Sequence, residues 1–235
     1  MISKKECIDK YELILASNGP KEFFISNKNG TVCVVGTSKR ENIKITGWKS
    51  VQAKTLEEAK FHLADINIDI QELQNQVRVK TEHPDGMQGI QYQVNYEIEI
   101  PSEWSMSVEN KNGDIRISGI KNNLKIKLHN GTVNASDIFS NVQVEIANGN
   151  IQINQTFPQN GLCLLKTING SINLLLNKDA SAIVNANVRT GVIFTESLHC
   201  KSQLNDPKGF QCTLNDGRGV IKLSTVNGQI NIGYL

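Results

Sequence analysis

Aromatic residues are scarce in this chain: Phe, Tyr and Trp make up 6% of 235 residues, and there are only 5 prolines. So few rings exclude a core built on aromatic packing. They also exclude the aromatic ladder on which single-stranded nucleic acid stacks. Charge of one sign is missing too. Lys and Arg number 25 against 23 Asp and Glu, a formal +2, and no Lys/Arg block appears. That removes the electrostatic footprint of a nucleic-acid binder. Lys121, Lys125 and Lys127 form a local patch, read as a solvated strand face. No apolar run is long enough for a membrane-spanning helix. The five cysteines, Cys7, Cys33, Cys163, Cys200 and Cys212, are irregularly spaced and contain no C-x-x-C, which argues against zinc. Their odd number argues against a disulfide framework and leans toward a reducing compartment, or toward thiols used as small hydrophobes. No secretory signal is present, because Met1-Ile2-Ser3-Lys4-Lys5-Glu6-Cys7 leads straight into polar sequence. Two locations stay open: the cytoplasm, or an exported site with the signal already removed.

What the chain has is a repeat. Seven glycines sit at one place in a recurring pattern, and six belong to Asn-Gly pairs: Asn29-Gly30, Asn112-Gly113, Asn130-Gly131, Asn148-Gly149, Asn169-Gly170 and Asn227-Gly228. The seventh is Thr190-Gly191. From Gly113 to Gly191 the steps are 18, 18, 21 and 21 residues. A near-constant step of this length marks a repeat architecture. Two and four residues after the glycines stand mostly apolar residues, such as Ile115 and Ile117, or Ile151 and Ile153. Three, five and seven before them the positions are again mostly apolar, such as Ile146, Val144 and Val142, with Thr167 and Thr225 among the exceptions. Polar residues fill the gaps. Such alternation means strands with one buried face.

Asn-Gly between alternating runs ordinarily signals a two-residue hairpin. A meander of hairpins would not keep every Asn-Gly in the same register, however. A second, looser corner also separates consecutive pairs, at Lys121-Asn122-Asn123, 137–141, 158–161 and 178–181. Two strands and two corners per repeat suit one coil of a solenoid better than a sandwich or meander. The expected fold is all-β: a single-chain parallel β-solenoid, β-helix-like, with about 18–21 residues per coil, whose coils stack to bury a shared core. Positive φ at the corners is expected of both Asn and Gly.

The expected organisation has three parts. Residues 1–22 are an N-terminal extension. Residues 23–101 hold N-terminal coils with an inserted helix at about 55–66. Residues 102–235 are the repeat solenoid, continuous with what precedes it. The helix rests on a capping box, Thr55 with Glu58. Leu56, Ala59, Phe61, Leu63 and Ile66 follow at helical spacing, placing it over the sheet or in one end of the solenoid. Strands are expected at 66–70, 76–81 and 90–100, with a loop at 83–89. The stretch 198–216, with Pro207 and Gly209, reads as a long loop or distorted coil.

The pattern Tyr96-Glu97-Ile98-Glu99-Ile100-Pro101, then Asn112-Gly113-Asp114-Ile115-Arg116-Ile117-Ser118-Gly119, then repeated Asn-Gly-x-Ile-x-Ile, resembles a bacterial putative-adhesin β-solenoid family, domain of unknown function 4097. The resemblance runs from about Phe23 to Ile232. It implies a cell-envelope or surface protein that binds a protein or glycan without catalysis, and no catalytic residues to carry over. The five cysteines and the missing export segment depart from the family pattern. An intracellular scaffold that self-associates is the alternative.

A carbohydrate-active β-helix would need paired carboxylates on neighbouring coils. The equivalents of Asp114 in later coils are Thr132, Asn150, Ser171 and Val192, so no second acid stacks beside it. Glu145 has Lys127 and Lys166 as equivalents, which suits a surface charge ladder. His62, His83, His129 and His199 lack partners at ligand spacing; His199 beside Cys200 is the one tempting pair. Corner Asn residues are read as structural rather than as a cation or glycan site. The sequence thus assigns no catalytic, cofactor-binding or metal-binding residue, and no cofactor.

Overall fold

The computed structural model describes residues 4–17, 21–38, 42–85, 89–206 and 208–235. Four strands come first: β1 (Lys5–Ala16), β2 (Glu22–Asn29), β3 (Val32–Thr37) and β4 (Asn42–Ala53). Helix α1 (Leu56–His62) runs into a 3-10 turn at Leu63–Asp65. Then come β5 (Asn67–Glu72), β6 (Gln76–Glu82) and β7 (Gln91–Pro101). Four regular coils follow: β8 (Ser105–Asn112) with β9 (Ile115–Ser118), β10 (Leu124–Asn130) with β11 (Val133–Ile138), β12 (Val142–Asn148) with β13 (Ile151–Gln155), and β14 (Leu162–Asn169) with β15 (Ile172–Leu176). The chain ends with β16 (Ala182–Thr195), β17 (Cys200–Asp206), β18 (Gly209–Leu214) and β19 (Gly219–Tyr234).

The regular coils stack as the repeat requires. β8, β10, β12 and β14 pair in parallel on one face, called here face 1. β9, β11, β13 and β15 do so on face 2. Equivalent positions are neighbours: Ile126 lies beside Val108 and Val144, and Val133 beside Ile115 and Ile151. All of these are buried. Each removes apolar surface from water, worth about 1.5–3 kcal/mol per side chain. Cys163 takes an inward position and is fully buried, and burial pushes its thiol pKa up.

The coils are not in chain order at the ends. β19 lies between the β14/β15 coil and β16, so the last segment of the chain is the next-to-last coil of the stack. Likewise β2 and β3 lie between β6/β7 and β8/β9. Antiparallel strands finish both ends. β4 pairs with β7, β1 with β4 and β5 with β6; at the other end β18 pairs with β16 and β17 with β18. The 198–216 stretch is therefore a hairpin and not a loop or distorted coil; Pro207 lies outside the described residues.

The helix starts where expected. Thr55 Oγ1 accepts the Glu58 N–H at 3.1 Å. The reciprocal bond comes from Lys54 N–H rather than from Thr55 itself, at 3.1 Å to Glu58 Oε2. Its apolar face is narrower than its spacing suggested. Within α1 only Ala59 is buried, while Phe61 is 75% exposed. α1 packs on β1 and β4 at the N-terminal end of the stack.

Candidate binding surface

The Asn-Gly corners form a continuous ladder down one edge of the solenoid. Asn112 Nδ2 donates to Asn29 Oδ1, Asn130 to Asn112, Asn148 to Asn130, Asn169 to Asn148 and Asn227 to Asn169, all at 2.7–2.8 Å. The four interior amides thus each donate to one neighbour and accept from the other, while Asn29 only accepts and Asn227 only donates within the ladder. The sequence expected positive φ of both corner residues. Only the glycines have it, with φ from 120° to 156° at the seven corners. A Cβ on Gly149 would overlap the Gly131 carbonyl oxygen of the adjacent coil. The coils approach so closely that only glycine fits, whatever the backbone angle. Non-glycine positive φ occurs instead at the looser corners, at Asp137 and Asn160.

A second polar ladder was not foreseen. At three corners the residue after the glycine accepts a backbone N–H from the next coil. Thr132 N donates to Asp114 Oδ1 at 3.0 Å, Ser171 N to Asn150 Oδ1 at 2.8 Å, and Gln229 N to Ser171 Oγ at 3.3 Å. Asp114 is therefore occupied by structure, and Arg116 pairs with its other oxygen at 3.3 Å. The signal was present in the sequence as Asp, Asn and Ser one residue past the corner.

The outer side of face 1 holds an open groove of about 740 Å³ across the neighbouring coils. One column along it reads Glu109, Lys127, Glu145, Lys166 in successive coils, the expected charge ladder. Lys127 Nζ meets Glu109 at 3.4 Å. The next column reads Lys28, Lys111, His129, Ala147 and Ile168, running from basic to apolar. Asp85 sits over the basic end, 3.3 Å from Lys28 and 3.9 Å from Lys111. Those two ammonium groups hold its carboxyl below the usual range, Lys28 first. Of the local lysine patch, Lys127 lines this groove and Lys121 pairs with Glu103 at 3.1 Å. Face 2 carries a smaller concavity of about 430 Å³. Ser118, Asn134, Ser136, Gln152 and Asn154 line it, with Arg116 and Cys33. One face thus presents charge and the other amides and hydroxyls.

The histidines fall in three places, with His62 and His83 both against Tyr92. His62 Nδ1 lies 2.6 Å from Asp65 Oδ2, and the Tyr92 hydroxyl donates to the same carboxylate at 2.9 Å. These two contacts hold the Asp65 carboxyl below its ordinary value, and the Tyr92 phenol is pushed up to about 12, by burial first. His83 is buried and stacks on the Tyr92 ring, centroids 5.4 Å apart. His129 stands on the groove, and His199 lies beside Tyr234. Cys200 is not available as a ligand or nucleophile, because it is bonded to Cys212. The odd count hid this disulfide: two cysteines pair, while Cys7, Cys33 and Cys163 stay free. Among the described residues, no three His, Cys, Asp or Glu side chains gather as a metal site needs. No described helix is long and apolar enough to cross a membrane.

The profile of the Toastrack DUF4097 family matches residues 104–233, more than half of the chain. The chain belongs to this family. No curated protein matches it. Among solved structures, this Toastrack chain is similar to a putative cell adhesion protein from Clostridium sporogenes ATCC 15579. Their TM-score is 0.51 at 12% identity, covering 99% of this chain and 100% of the other. A putative adhesin from Bacteroides fragilis NCTC 9343 matches with a TM-score of 0.48 at 12% identity, covering 100% and 99%. At such identity the likeness to the Clostridium protein is one of fold. The Toastrack match also spans most of the groove: β8, β10, β12 and β14 with their corners lie inside residues 104–233, while Lys28 on β2 lies outside.

Proposed function

We propose that this chain is a non-catalytic interaction module of the bacterial cell envelope, and that it docks a protein or glycan along the face 1 groove. The groove is the observation that carries this reading. It spans several coils, it presents alternating charge beside a column that runs from basic to apolar, and its carboxylates are spaced by lysines rather than paired for acid–base work. Two facts support the location. The similar Clostridium protein is described as a putative cell adhesion protein. A disulfide suits an oxidising compartment better than the cytoplasm.

The test has two parts. Protease shaving of intact cells should remove the protein; full protection with recovery in the cytosol sinks the envelope assignment. The purified chain is then applied to an array of envelope glycans and to outer-surface protein extracts, beside a Lys127→Glu/Lys166→Glu variant. Wild-type binding that the variant loses is expected. Equal binding by both removes the groove from the account. A second reading, a scaffold joining copies end to end, draws on the run Thr190–Thr195 of β16. This run carries no charge, and its Val192 and Phe194 side chains are exposed at the C-terminal end of the stack.

A further inference from the structure

On its face 1 side, the C-terminal end of the stack is covered by the β17–β18 hairpin. β18 pairs with the first half of β16, from Ala182 opposite Leu214 to Asn187 opposite Gly209. It buries Phe210, Cys212 and Leu214 in the core. β17 lies outermost and, among the described residues, pairs with β18 alone. It brings almost nothing to the core. Cys200 is half-buried, and its other described side chains are exposed, Leu204 by 65%. Its ladder breaks register between Cys200 and Ser202. An ion pair from Lys201 to Asp216 at 3.0 Å and a hydroxyl bond from Ser202 to Thr213 at 3.0 Å also tie it down, but both are exposed. Exposed polar ties contribute little. The strong tie is the Cys200–Cys212 disulfide, which crosses from β17 to β18 with a sequence separation of 12. A cross-link that close in sequence restrains the hairpin and not the coils.

We propose that Cys200–Cys212 is a thiol-operated latch: reduction releases β17 from the stack and makes β18 the terminal edge, while the coils from Ser105 to Leu176 stay folded. The reductant is a small dithiol or a dithiol protein. Its thiolate attacks the Cys200 sulfur, the accessible one, since Cys212 is 1% exposed. A mixed disulfide forms with Cys200, and the Cys212 thiolate leaves and takes up a proton. The second thiol of the reductant, as its thiolate, then attacks the mixed disulfide. Cys200 leaves as a thiolate and is protonated, and the reductant becomes the disulfide. Two electrons and two protons pass to the protein. The edge this uncovers, Gly209-Phe210-Gln211-Cys212-Thr213-Leu214, carries no charge. Unprotected edges of that kind accept further strands.

Hydrogen–deuterium exchange on the full chain tests the latch, oxidised and after dithiothreitol, with alkylation and mass measurement to confirm that two thiols were gained. Amides of 200–206 and 209–214 should exchange at least about tenfold faster on reduction, with those of 105–176 unchanged. A Cys200→Ser/Cys212→Ser variant should show the faster pattern without any reductant, which removes effects at the other cysteines. Unchanged hairpin rates after confirmed reduction overturn the proposal. So does a rise throughout the coils, because that makes the disulfide a staple of the whole fold.

Discussion

The regular coils and the two ends of this solenoid handle unpaired strand edges in opposite ways. Between Ser105 and Leu176 every edge is covered by an equivalent copy of itself, and one set of side chains does the same work in each coil. At the ends there is no next copy. The N-terminal end uses α1 and the antiparallel β1, whose outer residues include Lys10 and Glu12. The C-terminal end uses a hairpin and a disulfide. Repetition thus secures the middle by geometry, whereas each end is secured by its own local chemistry. A stack that grows by copying needs special residues only where copying stops.

The sharpest way to break this contrast is to put the same substitution in both regions. Gly149 and Gly89 both have positive φ, 145° and 94°. At Gly149 an added Cβ overlaps the backbone of the next coil; at Gly89 its nearest neighbour is Lys54 Cε at 3.8 Å. Gly89→Ala is expected to cost about 1 kcal/mol, the strain of the backbone alone. Gly149→Ala adds a clash that two coils must move to relieve, and is expected to cost more than about 4 kcal/mol or to prevent folding. Urea unfolding of both variants decides it. Similar midpoints would mean that the coils part easily and that the close stacking is not what requires glycine.

A smaller effect is expected from the asparagine ladder. Asn148→Ala removes one bond given to Asn130 and one taken from Asn169. Both lie on an exposed edge, so a loss of about 1–2 kcal/mol is expected. Asn29→Ala, at the ladder's N-terminal end, removes the bond taken from Asn112 and a longer one, 3.2 Å, to the Tyr92 carbonyl. It should cost less. If the end variant costs as much as the central one, the ladder is not a chain of equal links.

The same contrast governs what could be read from the residues. Coil positions were legible because stacking forces equivalent residues into contact, so the apolar offsets around each glycine repeat down the chain. Even Cys163 and the Glu145 charge ladder followed from register. The ends were not legible, because their neighbours are far apart in sequence. Nothing local says that β19 inserts before β16, or that β2 inserts between β6 and β8. Cys200 and Cys212 likewise meet only because β17 folds back on β18. The groove was half legible: its charged column showed as alternating Glu and Lys, but its curvature and the approach of Asp85 are tertiary.

The smallest effect concerns pH and should appear at the N-terminal end alone. Burial holds the His83 imidazole below its ordinary pKa; the Pro84 carbonyl and Asp85 oppose this, and Lys28 and Lys111 reinforce it. The unfolded chain therefore takes up a proton at His83 before the folded chain does. Stability from the neutral ring is complete above the unfolded value, about 6.5, and is lost as pH falls below it. The regular coils contain no buried histidine, since His129 stands on the groove. Hydrogen exchange at pH 7.5 and 5.5, corrected for intrinsic rates, should show protection falling in β6 and β7 but not in β10 to β15. His83→Phe keeps an aromatic ring against Tyr92 and removes the titration, so it should flatten that difference. An undiminished pH response in the variant would take the effect away from His83.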